Sequence, residues 1–257
     1  MTRRLFDAHL HIIDARFPLV PNQGFVPEPF TCADYLSRMS DHELLGGVLV
    51  SGSFQGLETT WLIDALRILG PGFVGVVQLS PTASDAQIRA LDDVGVRGVR
   101  INLRRGGTVD LAELEALAWR VHALAGWHVE IYADAAELAP MLPVLASLPR
   151  LSIDHLGLSK AGLPTLLSLV AQGVRVKATG FGRVDFDVAA ALRELHAEDP
   201  AALMFGTDLP STRAPRAYRD EDYDLVLDAL GDAGAAQVLW QNACTFYRIE
   251  GARPGSA

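Results

Sequence analysis

Short apolar runs alternate with longer amphipathic stretches along nearly the whole chain. The apolar runs predict strands over Leu5–His9, Gly47–Ser51, Phe73–Leu79, Arg97–Leu103, His128–Tyr132, Leu151–Asp154, Val174–Ala178 and Leu203–Gly206. They are nearly continuous in Val, Ile and Leu, as parallel strands buried on both faces should be. Between most of them the apolar positions recur at helical spacing, over Leu57–Leu69, Asp85–Val94, Leu111–Ala125, Ala135–Leu148, Leu163–Gln172 and Val188–His196. Two more helical stretches, Asp220–Leu230 and Ala233–Tyr247, follow the last strand. About eight alternations of strand and helix predict a closed (β/α)8 barrel. An open doubly wound sheet is the alternative, but no glycine-rich nucleotide fingerprint follows any strand, and Gly106–Gly107 reads only as a turn.

The 257 residues suffice for one such barrel, and no linker divides them. Residues 1–250 are expected to form one domain and 251–257 a frayed tail. The net charge of -9 argues against nucleic acid and anionic membrane as partners. Cys32 and Cys244 make neither a disulfide framework nor a CxxC site. No secretory signal precedes Asp7 and no stretch reads as a membrane span, so a cytoplasmic protein is expected. Oligomeric state is left open, a homo-oligomer included.

In a barrel of this kind the chemistry gathers at the C-terminal ends of the strands. There the apolar pattern is broken by His9 and His11, by Ser51 and Ser53 with Gln55 beyond, by Arg100 and Asn102, by Tyr132, by Asp154 and His155, by Lys177 and Thr179, and by Asp208. Strict alternation puts His9 and His11 on one face of the first strand with Asp7, and Phe6, Ala8 and Leu10 on the other. The same alternation points His128, Glu130 and Tyr132 inward. Lys177 is read as structural, paired inside the barrel with an acid such as Glu130. His42, His122 and His196 are read as surface residues of helical stretches. Any one polar strand end has a bland explanation as a cap, a turn or a satisfied core residue. Chance explains poorly that His9, His11, His155 and Asp208 all fall at strand ends.

Arg97, Arg100, Arg104 and Arg105 cluster with no acid among them, which is unusual in so acidic a chain. Arg97 is expected at the start of its strand, in solvent. The others, with Arg183, suit recognition of a carboxylate, because the planar guanidinium binds one bidentately.

Taken in order, DAHLHIID, GVRGVRINL, AGWHVEIYAD, LSIDHLG, FGTDLP and WQNACTFY span nearly the whole chain. The set resembles the amidohydrolase-related (amidohydrolase 2) family, in its 2-pyrone-4,6-dicarboxylate lactonase-like branch. The resemblance implies a single distorted (β/α)8 barrel of the metal-dependent hydrolase superfamily, and opening of a lactone of a small carboxylate. It implies that Asp208 activates water and that His9, His11 and His155 surround the carbonyl oxygen. It places Arg100, Arg183, Tyr132, Ser53 and Gln55 around the substrate, with Arg105 or Arg104 substituting for a lactonase arginine whose position holds Gly106. Ser211 is a second departure from the lactonases, and together these put the particular substrate in doubt. The lactonases imply a site without metal. A divalent ion such as zinc on His9, His11 and Asp208 stays open, because three protein ligands suffice for a catalytic zinc. The alternatives are a zinc-dependent decarboxylase or amidohydrolase on the same barrel, and a binding protein without turnover.

Overall fold

The computed structural model describes residues 3–106 and 110–249; Gly107 of the expected turn, Glu250 and the expected tail 251–257 lie outside them. Eight strands form one parallel sheet in sequence order: β1 (Arg3–Leu10), β2 (His42–Val50), β3 (Phe73–Val77), β4 (Val96–Asn102), β5 (His128–Tyr132), β6 (Leu151–Ile153), β7 (Arg175–Ala178) and β8 (Leu203–Phe205). Helices follow the strands on the outside: α1 (Cys32–Arg38), α2 (Thr60–Leu69), α3 (Asp85–Asp93), α4 (Leu111–Ala125), α5 (Leu142–Ser147), α6 (Leu163–Val170), α7 (Val188–Glu198), α8 (Asp220–Ala236) and α9 (Asn242–Tyr247). This is the expected (β/α)8 barrel.

Local chemistry sets these elements. α2 turns Trp61, Leu62, Ala65 and Leu66 toward the sheet. At the start of α4 the Asp110 carboxylate accepts from Ala112 N at 2.9 Å and Glu113 N at 3.1 Å, meeting amides that lack helical partners. At its end Gly126 takes φ +66 and donates to His122 O at 2.7 Å, a left-handed stop that glycine adopts without strain. The stretch predicted as one helix over Ala135–Leu148 is instead a 3-10 segment, Ala135–Met141, followed by α5, because Pro140 and Pro143 interrupt it. His42 opens β2 rather than lying in a helix, and it packs beside Tyr223.

The first strand departs from strict alternation. Its register against β2 slips between Leu5 and Phe6 and again between Asp7 and Leu10. Such an irregularity shifts the phase of the side chains. Phe6 and Ala8 therefore fall in the interior cluster with Val48, Val76 and Tyr247, and Leu10 packs with Tyr35 on the helix side. Asp7 leaves the face of His9 and His11, and accepts a hydrogen bond from Tyr35 Oη at 3.1 Å.

Backbone hydrogen bonds with the segment after β8 close the barrel against β1 and the residues that follow it. Asp208 N donates to His9 O at 2.7 Å, and His11 N donates to Leu209 O at 2.8 Å. The buried Asp7 carboxylate ties the seam. It accepts from Thr207 N (2.8 Å), Thr207 Oγ1 (2.6 Å), His9 N (3.2 Å) and Tyr35 Oη. Burial nevertheless outweighs these four bonds and pushes the Asp7 pKa up to about 6. Gly206 permits the close approach, since a Cβ there would stand 2.5 Å from His9 N. At the opposite end, α9 packs Phe246 and Tyr247 against His128 and plugs the interior.

Candidate active site

The interior between plug and mouth holds a buried layer of charged side chains. Lys177 and Glu130 form a fully buried ion pair, as their inward strand positions predict. Arg100 donates through Nη2 at 2.7 Å and Nε at 3.2 Å to Asp154 Oδ2, and through Nη1 to Ser51 O at 2.9 Å. Two cations and two carboxylates thus neutralise one another, the arrangement buried charge requires. Burial opposes ionisation of Asp154, but Arg100, followed by His9 and Lys177, holds it well below the usual carboxylate range.

His9 stands on this layer. Its Nδ1 lies 3.3 Å from Lys177 Nζ and 3.5 Å from Asp154 Oδ1. Burial first, and the Lys177 charge next, lower its pKa well below 6.5, so the ring is neutral. Nδ1 faces both an ammonium that can only donate and a carboxylate that can only accept; in the tautomer that accepts from Lys177 the proton lies on Nε2. His11 has the opposite polarity. Its Nδ1 meets the Val50 carbonyl at 2.7 Å, which can only accept, so Nδ1 donates there and Nε2 is left to face Asp208. His155 Nδ1 meets Thr179 Oγ1 at 2.8 Å. Burial, aided by Arg183 and Arg100 and opposed by Asp208, lowers the His155 pKa to about 3.

The three imidazoles converge on one atom. Asp208 Oδ1 lies 3.9 Å from His9 Nε2, 3.7 Å from His11 Nε2 and 4.0 Å from His155 Nε2. All three separations exceed a hydrogen bond. Asp208 Oδ1 and His9 Nε2 are both buried and lack partners. Asp208 Oδ2 instead accepts from Arg183 Nε at 2.7 Å, while Arg183 Nη2 donates to Thr212 O. Burial opposes ionisation of Asp208, but Arg183 beside it, helped by the imidazoles, holds it well below the usual carboxylate range.

Above this floor opens a narrow pocket. His11, Ser53, Arg100, Arg105, Tyr132, His155, Arg183 and Asp208 line it, as the sequence expects; Phe25, Asn102 and Arg213 line it as well. Gln55 does not. Its Oε1 accepts from Gly52 N at 2.8 Å and its Nε2 donates to Ile12 O at 2.9 Å, so it braces the loop that carries Ser53. Arg104 is exposed, and Arg97 pairs with Asp92 at 3.0 Å. Ser211 is buried away from the cavity, its hydroxyl accepting from Tyr218 N. Two contributions escaped the sequence reading. Asp154 reads there as part of an Asp-His pair, with nothing to mark it as the tether of both Arg100 and His9. Arg213 stands alone in a loop, without pattern.

The donor atoms of His9, His11 and Asp208 lie within 4.8 Å of one another, and so do those of His9, Asp154 and His155. The first set fits a divalent ion: two of its atoms are buried orphans, and His11 is oriented through its other nitrogen, as metal-bound histidines are. His9 would have to turn its Nδ1–H toward Asp154 to join it.

The model of the amidohydrolase family matches residues 6–249. The chain belongs to the amidohydrolase family. A 2-pyrone-4,6-dicarboxylate hydrolase of Comamonas testosteroni is 34% identical over 160 residues, which cover 59% of this chain and 51% of that protein. A D-galactarolactone isomerase of Agrobacterium fabrum is 28% identical over 272 residues, covering 96% of this chain and 92% of the relative. A solved structure from Pseudomonas putida, provisionally assigned as a 2-pyrone-4,6-dicarboxylic acid hydrolase, superposes with a TM-score of 0.83 at 26% identity, over 97% of this chain and 99% of that one. No helix among the described residues is long and apolar enough to cross a membrane.

Proposed function

We propose that this amidohydrolase opens the ring of a lactone that carries a carboxylate, by attack of water activated at Asp208. The observation that carries the reading is the orphaned Asp208 Oδ1 facing three imidazole nitrogens at the base of an arginine-lined cavity. Lys177 and the Val50 carbonyl, the other ring partners of His9 and His11, suit these two nitrogens to different roles. A water between Asp208 Oδ1 and His11 Nε2 meets two acceptors, which direct its lone pair at the lactone carbonyl carbon. His9 Nε2–H, in the tautomer that accepts from Lys177, and His155 donate to the carbonyl oxygen as it becomes an oxyanion. Water adds its oxygen to the carbonyl carbon and its proton passes to Asp208. The ring C–O bond then breaks, and the same proton goes to the leaving oxygen. One water is consumed, and the new carboxylic acid ionises. Arg105, with the free donors of Arg183 and Arg100, orients the substrate carboxylate.

Asp208 pairs with Arg183, so it is ionised at every working pH and always ready to accept a proton. Its proton affinity is low while that pair is intact. A substrate carboxylate that draws on Arg183 would raise it, which couples binding to base strength. A divalent ion on His9, His11 and Asp208 would supply carbonyl polarisation and an acidified water.

The test is proton release at constant pH on 2-pyrone-4,6-dicarboxylate after chelator treatment. Release is expected, and Asp208→Asn should lower it by about 10²–10⁴-fold while leaving binding largely intact. Retained turnover in that variant would overturn the base assignment; loss to chelator with recovery on zinc would overturn the metal-free route. The D-galactarolactone isomerase covers nearly the whole chain, which supports a second reading, lactone isomerisation. That reaction consumes a lactone without releasing a proton, so the same titration separates the two.

A further inference from the structure

The arginines that the sequence singles out at strand ends are largely engaged. Arg100 binds Asp154 and Ser51 O, and Arg183 binds Asp208 and Thr212 O. Two other guanidiniums face the cavity without any carboxylate partner among the described residues: Arg105, in the loop after β4, and Arg213, in the loop after β8. Both are half-buried, so they belong to its outer end rather than its floor.

One side chain organises the pair. Asn22 and Phe25 exchange backbone hydrogen bonds of 3.0 and 3.1 Å across Gln23 (φ 53) and Gly24 (φ 76), which makes a tight two-residue turn. From this turn Asn22 Nδ2 donates to Arg105 O at 3.3 Å, and Asn22 Oδ1 accepts from Arg213 Nη1 at 3.0 Å. Arg213 Nη2 also donates to the Asn22 carbonyl. The Arg213 guanidinium stacks 4.3 Å from the Phe25 ring centroid, and that of Arg105 lies 6.0 Å from the centroid of Tyr132. The Arg213 backbone sits at φ 57, a conformation that costs a non-glycine residue energy and persists only where surroundings enforce it. Two like charges are thus held at one cavity, each backed by an aromatic face. That arrangement is favourable when an anion lies between them.

We propose that Arg213, held by Asn22 beside Arg105, is a specificity-determining residue that selects substrates bearing a second anionic group at the outer end of the cavity. Asn22 is its positioning residue. The inference rests on the reading that this cavity takes a carboxylate-bearing lactone, and it names the side chain that senses the substituent.

The experiment separates recognition from turnover. Binding of benzene-1,3-dicarboxylate and of benzoate is measured by calorimetry on the wild type, Arg213→Gln, Arg213→Lys and Asn22→Ala. The wild type should prefer the dicarboxylate. Arg213→Gln should weaken dicarboxylate binding by about 10–100-fold, the effect of losing a charge-assisted hydrogen bond, and weaken benzoate far less. Arg213→Lys should fall between, keeping the charge but not the fork. Asn22→Ala should show the same selective loss in smaller measure, and on 2-pyrone-4,6-dicarboxylate should raise KM far more than it lowers kcat. Equal weakening of both ligands, or none, in Arg213→Gln overturns the proposal. If no lactone is turned over but the selective loss is found, the proposed reaction fails and the anion subsite stands.

Discussion

Asp7 offers the sharpest test of how burial and hydrogen bonding compete in this barrel. Its carboxylate has no exposure, yet it accepts two backbone amides and two hydroxyls. If the bonds won, its pKa would fall; burial wins, and the pKa rises from 3.8 to about 6. That is roughly two pH units, or about 3 kcal/mol at about 1.4 kcal/mol each. Between these two values the folded chain holds a proton that the unfolded chain has lost, so folding stability falls as pH rises. The contribution is present in full below about 3.8 and is gone above about 6. Asparagine at this position does not titrate. Urea unfolding of the wild type and Asp7→Asn, in chelator so that no ion on His9 contributes, should therefore show the variant gaining on the wild type by about 3 kcal/mol between about pH 4 and pH 7. At a urea slope of about 3 kcal/mol per molar, the two midpoints should shift relative to each other by about 1 M. A stability difference that does not change with pH would refute the reasoning. A difference of opposite sign would show that the four hydrogen bonds outweigh burial.

Two further substitutions probe the layer beneath the site. Lys177→Met should destabilise by about 3–5 kcal/mol in urea unfolding, because Glu130 is left buried without its cation. Adding Glu130→Leu should recover most of that loss, since Arg100 and Asp154 remain balanced; a double variant as unstable as the sum of the singles would refute it. Gly206→Ala should cost about 1–3 kcal/mol by forcing its Cβ against His9 N, and should lower kcat by moving His9. Wild-type unfolding and turnover in that variant would show that the seam yields without disturbing the site.

The eight strands were legible because each is a compact apolar run, and a barrel buries both faces of every one. The Lys177–Glu130 pair was legible for a related reason: both residues break that pattern at inward positions of short, regular strands. β1 was misread because its register slips, and a slip leaves no mark in a sequence read by period two. It sent Asp7 outward and Ala8 inward. α1 is only seven residues long and has no periodicity to read; its structural signal is the Thr31–Asp34 capping box. Gln55 lay in the right loop, but its amide is occupied with backbone groups, which only coordinates reveal. Arg213 was invisible because its partner, Asn22, lies 191 positions away.

The seam between β1 and β8 also dictates when this protein can become active. Asp7 and Thr207 are 200 positions apart, and the same closure sets His9 and His11 against Asp208. During synthesis the histidines emerge roughly 200 residues ahead of their acidic counterpart. Until β8 docks, the growing chain carries imidazoles without a base and an open sheet edge where the first strand awaits its neighbour. Contacts of such long range form slowly, because the loop must close before they repay it. Competence therefore arrives in one late step, and a chain released before Leu203 would hold most of the fold's strands and none of the proposed chemistry.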